Sequence, residues 1–115
     1  MNSKILGLLG LMRRAGKLTA GFDAVSDRIK DNTAALIVLA GDTSEKTAEN
    51  ISWLGAQKGV PALRIEAGME EVGVAIGRKK AGVLAVNDRG FAKKLSALAL
   101  ESGSDSPEGK QGGIQ

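Results

Sequence analysis

Residues 34 to 40 read Ala-Ala-Leu-Ile-Val-Leu-Ala, seven consecutive apolar positions between Asp31-Asn32-Thr33 and Gly41-Asp42. An apolar run without alternation, bounded by turn formers, predicts a central strand covered on both faces. Around it the apolar positions fall at helical spacing. Ile5, Leu8, Leu9 and Met12 predict a helix from a Ser3 cap to about Ala15, with Arg13 and Arg14 in its last turn and Gly16 at C′. Lys17 to Ala20 reads as a brief strand, and Gly21-Phe22-Asp23 opens a second helix with Phe22, Val25 and Ile29 on one side. Asp31, Asn32 and Thr33 end it. Asp42 with Glu45 offers a capping box for a third helix, which buries Ala48, Ile51 and Leu54 and stops at Gly59. Pro61 begins a strand through Ile65, Gly68 to Ile76 is a short helix, and Val83 to Val86 is a buried strand. Asp88 caps a last helix with Phe91, Leu95 and Leu98 inward. Alternation of five helices with four strands predicts the α/β class, as a three-layer α/β/α sandwich. From Ser102 the chain reads SGSDSPEGKQGGIQ, with almost nothing to bury, so a folded domain over 1–101 and a disordered polar tail over 102–115 are expected.

Composition narrows the chemistry. At 115 residues the chain fits one domain with a real core. It has no cysteine, which removes disulfides, thiolate metal sites and thiol nucleophiles, and no histidine, which removes the usual general base near neutral pH. The close carboxylate pairs, Asp42 with Glu45 and Glu70 with Glu71, are accounted for by helix starts and have no metal-cage spacing. No catalytic residue, cofactor, metal or small-molecule substrate is therefore assigned. Apolar runs are far shorter than a membrane span and no signal segment is recognisable, so a cytoplasmic protein without membrane contact is expected.

Charge is distributed unevenly. The formal net charge is +3, yet residues 77–100 alone hold six cations and one anion. Within them, Arg78-Lys79-Lys80 forms a loop between a helix ending at Gly77 and the strand from Val83, with Ala81-Gly82 as a turn. A cationic loop anchored at both ends loses little ordering entropy on gripping a phosphate backbone, although a run of charges is often just a solvated face. Gly10 to Lys17, GLMRRAGK, has the look of a P-loop but has five residues between its glycines instead of four, and Leu18 where a hydroxyl is needed. A helix C-cap explains it. Two Phe, one Trp and no Tyr leave few platforms for base stacking.

Four segments together resemble a known family: KILGLLGLMRRAGKLTAGFDAV, AALIVLAGDTSEKTAENI, KGVPALRI and EVGVAIGRKKAGVLAVNDRGFAKKL. The chain is similar over about residues 2–100 to the kink-turn RNA-binding superfamily of ribosomal proteins L seven-Ae and L thirty-e, most closely to its small bacterial YlxQ-like members. The resemblance implies a four-stranded mixed sheet within the sandwich, and an RNA surface where the first strand–helix loop meets the loop before the last strand. Carried over, these are Gly21, Phe22, Asp23, Ala24 and Asp27, and Arg78, Lys79 and Lys80 supported by Val72 and Gly73; apart from the resemblance, the cations Arg13, Arg14 and Lys17 are a candidate extension of the backbone contacts. The chain departs from the family's kink-turn readers, whose helix start carries Asn-Glu followed by a Lys. Asp23 cannot donate to a guanine edge, and Asp27 in place of a lysine repels phosphate by about 1 kcal/mol.

The implied function is that of a non-enzymatic, monomeric RNA-binding protein, ribosome-associated or bound to structured, kink-turn-like RNA, with ribosomal RNA as a partner. The alternative is a protein-interaction module in ribosome assembly or transcription whose cations serve solubility.

Overall fold

The computed structural model describes residues 2–101, and the tail expected from 102 onward lies outside them. Nine elements follow one another: α1 (Asn2–Arg14), β1 (Leu18–Ala20), α2 (Phe22–Lys30), β2 (Leu36–Leu39), α3 (Glu45–Gln57), β3 (Ala62–Arg64), α4 (Met69–Ile76), β4 (Val83–Val86) and α5 (Arg89–Glu101). The strands make one mixed sheet in the order β1-β4-β2-β3. β4 runs antiparallel to both β1 and β2, while β2 and β3 are parallel.

The unbroken apolar strands are explained by the two faces of the sheet. Leu36 and Val38 of β2, with Leu84 and Val86 of β4, pack beneath α1, α4 and α5 among Ile5, Leu9, Met12, Val72 and Leu95. The alternate residues Ile37, Leu39, Val83 and Ala85 face Val25, Ile29, Ala48 and Ile51 of α2 and α3. Both faces are covered, so the period-2 polar positions of a half-exposed strand are missing. Each fully buried Leu, Ile or Met contributes about 1.5–3 kcal/mol of transfer free energy, and Ile5, Leu9, Met12, Ile37, Ile51, Leu84 and Leu95 are all at most 1 % exposed.

Four helices end in the same way. After α1, Gly16 at φ +74° donates to the Arg13 carbonyl at 3.1 Å and Lys17 donates to Met12 at 2.9 Å. That paired pattern is the Schellman motif, which satisfies the last carbonyls when the following residue takes the left-handed region. It recurs at Gly59 after α3, at Gly77 after α4, and at Asn32, φ +66°, after α2. Gly16 is thus a helix stop and not part of a phosphate loop.

Two expected caps are elsewhere. Ser3 lies inside α1, which already begins at Asn2. The α3 cap is Ser44, whose hydroxyl accepts from the Thr47 amide at 3.2 Å, and Glu45 is the first helical residue. Asp42 instead reaches across the fold and accepts from the Met69 amide at 2.8 Å, at the start of α4. A carboxylate near a helix N-terminus gains from either helix, and the chain reversal after β2 points it at α4. Asp88 caps α5 as expected, accepting from the Phe91 amide at 2.8 Å. Glu71 folds back to the Gly68 amide at 3.0 Å, the helix-opening role expected of it.

Candidate nucleic-acid interface

Chain direction fixes which loops meet. β1, β2 and β3 end, and β4 begins, at one end of the sheet, because β4 is antiparallel to β1 and β2. The loops that leave and enter there are Gly21, 40–44, 65–68 and 77–82.

Gly21 sits at φ +104°, ψ 144°, a region closed to side-chain-bearing residues, and its amide donates to the Val83 carbonyl at 2.9 Å. This pins the start of α2 to the start of β4. Because Gly21 offers no side-chain cap, the first-turn amides of α2 are left facing outward, beside the exposed Asp23 and Ala24. Helix N-termini present such donors to anions. Asp27 is exposed one turn further on.

The cationic loop is held at both ends. Arg78 donates its amide to the Gly73 carbonyl at 2.7 Å, and Ala81 donates to Met69 at 2.9 Å. The Thr43 hydroxyl, nearly buried, donates to the Gly82 carbonyl at 2.9 Å. Beneath the loop, Val72 is fully buried and Gly73 lies so close that an added Cβ would come 2.4 Å from the Lys80 Cα and 2.7 Å from the Lys79 carbonyl carbon. Val72 and Gly73 therefore form the seat on which the cations rest. Arg78, Lys79 and Lys80 are all exposed.

The two turns adjoin. The Arg78 guanidinium Nη1 lies 3.5 Å from the Ala20 carbonyl oxygen, spanning 58 residues of sequence. Between them is a depression of about 370 Å³ lined by Gly21, Phe22, Arg78 and Lys80 together with Thr43, Ser44, Thr47 and Met69. The last four residues carry no signal legible from local pattern, apart from the hydroxyl-rich Asp42-Thr43-Ser44 turn. They enter because α3 and α4 both begin at this end.

Arg13, Arg14 and Lys17 are placed differently. The Lys17 carbonyl accepts from the Asn87 amide at 2.8 Å, at the opposite end of β1 and β4 from Gly21 and Val83. Arg14 folds back along α1, with Nη1 near Gly10. Among the described residues no group of three or more His, Cys, Asp or Glu side chains could hold a metal ion, and no helix is long and apolar enough to cross a membrane.

A three-layer sandwich with two loops joined at one end of a mixed sheet defines a class of fold, and known proteins share it. A family model described as the ribosomal protein L7Ae/L30e/S12e/Gadd45 family matches residues 3–96, and the chain belongs to that family. It is 37% identical over 91 residues to a Bacillus subtilis protein named RNA-binding protein YlxQ, covering 79% of this chain and 90% of that one. A solved structure of a protein of unknown function from Bacillus halodurans superposes with a TM-score of 0.78 at 30% identity, over 83% of this chain and 95% of that one. The Giardia lamblia 15.5kD RNA binding protein shares the fold, with a TM-score of 0.69 at 18% identity over 85% and 89% of the two chains.

Proposed function

We propose that this chain is a non-enzymatic RNA-binding protein whose contact surface is the junction of the β1–α2 turn with the 77–82 loop. Gly21, Phe22 and Asp23 form its floor with the start of α2, Ala24 and Asp27 flank it, and Arg78, Lys79 and Lys80 supply phosphate contacts from the seat of Val72 and Gly73. The observation that carries this reading is the Arg78 guanidinium 3.5 Å from the Ala20 carbonyl, which puts the cations beside the open amides of α2. Cations beside outward-facing helix N–H groups suit a phosphate-bearing partner, and relatives in the same family bear RNA-binding names.

The finer reading is structured RNA of the kink-turn type or ribosomal RNA, bound by a monomer in the cytoplasm. Acidic Asp23 and Asp27 at the head of α2 tilt the contact toward backbone shape and away from guanine edges. Titrating labelled structured RNA at several salt concentrations tests the proposal. With the three cations each neutralising one phosphate, the logarithm of affinity falls against the logarithm of salt with a slope of about −2 to −3. Arg78→Ala with Lys79→Ala and Lys80→Ala should flatten that slope by about 2–3 while leaving the melting temperature nearly unchanged. A flat salt response of the parent chain refutes the reading.

A further inference from the structure

The charge of the molecule is segregated along the strand direction, and against expectation. At the end that bears the 77–82 loop, segments 21–24, 40–47, 64–71 and 77–82 hold five cations and six anions, a net −1. At the opposite end, segments 13–17, 28–35, 56–61 and 87–93 hold eight cations and two anions, a net +6. The connections gather them there. α1, α2 and α3 all finish at that end, β2 and β3 start from it, and β4 delivers α5 to it. The Lys17 carbonyl bonded to the Asn87 amide ties two of these segments together, and Lys58 Nζ lies 3.4 Å from the Lys30 carbonyl, tying two more.

Part of this charge has a structural purpose. Arg13, Arg14, Arg28 and Lys30 stand in last turns, where the helix dipole favours cations. Arg89 is the reverse case. It opens α5, where the dipole disfavours a cation, and the first turn of that helix contains no acidic residue. Lys93 is exposed one turn above it, and among the described residues neither makes an ion pair. The Asp88 carboxylate that caps the helix offsets part of this cost, and the exposed Arg89 and Lys93 head groups are left to meet an external anion.

We propose that this end of the molecule is a second RNA surface, one that takes the phosphate backbone of a paired RNA segment, so that one chain can hold two RNA segments at once. A groove of about 1030 Å³ runs past Arg89 and Lys93 on one wall and Asn32, Thr33 and Pro61 on the other. Its polar side chains can donate to phosphate and ribose oxygens. Of the exposed large apolar side chains among the described residues, Leu100 lines this groove while Leu11, Trp53 and Val74 do not, and no aromatic side chain lines it. A single strand needs aromatic stacking, which this lining lacks, whereas a duplex is held through backbone charge and shape, and the net +6 of the surrounding segments favours its phosphates. The molecule is 28 Å across its shortest dimension, several times the Debye length of about 8 Å at physiological ionic strength, so the two surfaces act independently.

The proposal rests on RNA being the ligand, as in the reading above, but on a different surface. Its test uses a fully paired RNA hairpin and the chain carrying Arg78→Ala, Lys79→Ala and Lys80→Ala, in which the first surface is silenced. Salt-dependent binding of the hairpin should persist there. Adding Arg89→Glu and Lys93→Glu should lower it by about tenfold and flatten the salt slope by about 2. The same pair of substitutions should hold or raise the melting temperature, because glutamate at a helix start suits the dipole. Capture of a second labelled RNA by chain already bound to an immobilised one should be lost with either set of substitutions. Absence of hairpin binding in the silenced chain, or binding indifferent to Arg89→Glu and Lys93→Glu, overturns the proposal. So does displacement by polyglutamate at equal charge concentration, which would identify an acidic protein as the partner. If the silenced chain binds structured RNA as well as the parent does, the first surface is what fails, and the Arg89 and Lys93 result still decides the second.

Discussion

Gly73→Ala puts the seat of the cationic loop to the test. The added Cβ would lie 2.4 Å from the Lys80 Cα, 2.6 Å from the Lys80 nitrogen and 2.7 Å from the Lys79 carbonyl carbon, where ordinary contacts begin at 3.4 Å. All three are backbone atoms, so no side chain can swing aside. α4 cannot retreat, since Val72 and Ile76 are 0% and 4% exposed in the core. The loop must therefore lift by about 1 Å, against the Arg78–Gly73, Ala81–Met69 and Thr43–Gly82 hydrogen bonds. Overpacking of this kind costs about 1–3 kcal/mol, offset by about 0.5–1 kcal/mol because alanine favours a helix interior over glycine. A net loss of about 1–2 kcal/mol follows, or roughly 4–16 °C in melting temperature for a domain of this size. Gly7→Ala, in α1 with nothing within 4 Å of the new methyl, is the control and should be neutral or slightly stabilising. Thermal melts and RNA titrations of both variants decide the matter. Gly73→Ala should also weaken RNA binding, since Lys79 and Lys80 move with the backbone. Equal, upward shifts in melting temperature for both variants, with RNA affinity intact, would show that the loop does not rest on α4.

Other substitutions probe the remaining contacts. Gly21→Ala forces a side chain into φ +104° and should cost about 1–3 kcal/mol by urea denaturation, although nothing lies within 4 Å of the added atom. Thr43→Val keeps the shape and removes the hydroxyl donor to the Gly82 carbonyl, which still accepts from the Ala40 amide at 3.0 Å; a loss of about 0.5–1.5 kcal/mol is expected, with faster amide exchange in 78–82 as the local readout. Leu84→Ala, on the central strand β4 and facing α1, α4 and α5, should cost about 2–5 kcal/mol in the same denaturation assay. The Thr33 hydroxyl donates to Asp31 at 2.6 Å and holds that carboxyl below its usual range, with the Thr33 amide and Arg28 adding to the effect. A depressed carboxylate stabilises fully above its ordinary value of 3.8 and loses that contribution as pH falls through the lower folded value. Asp31→Asn should therefore flatten the acid limb of melting temperature against pH, and an unchanged limb would refute the assignment.

Much of this architecture is legible in the chain. Helix stops depend on one residue's access to the left-handed region, so Gly16 and Gly59 announced themselves without any tertiary information. Strand covering is equally local: uninterrupted apolar residues at 34–40 and 83–86 have no polar face to give to water. The cationic loop could be read too, because a glycine stop and a strand start bracket it. Long-range partners could not. Asp42 looks like the cap of the helix that follows it in sequence, and only the turn after β2 directs it 27 residues away to Met69. Thr43, Ser44, Thr47 and Met69 join the depression for the same reason.

The sequence by itself determined the elements, their order and the surfaces each must bury, since these follow from periodicity and from backbone freedom within a few residues. Only the tertiary structure decided that the last strand lies between the first and second, and that its antiparallel direction brings Gly21 against Val83. It also set Arg78–Lys80 and Lys17–Arg89 at opposite ends of the sheet. Those outcomes depend on closing loops of some sixty residues over a shared core, and side-chain spacing along the chain carries no information about which end of a strand will face which partner.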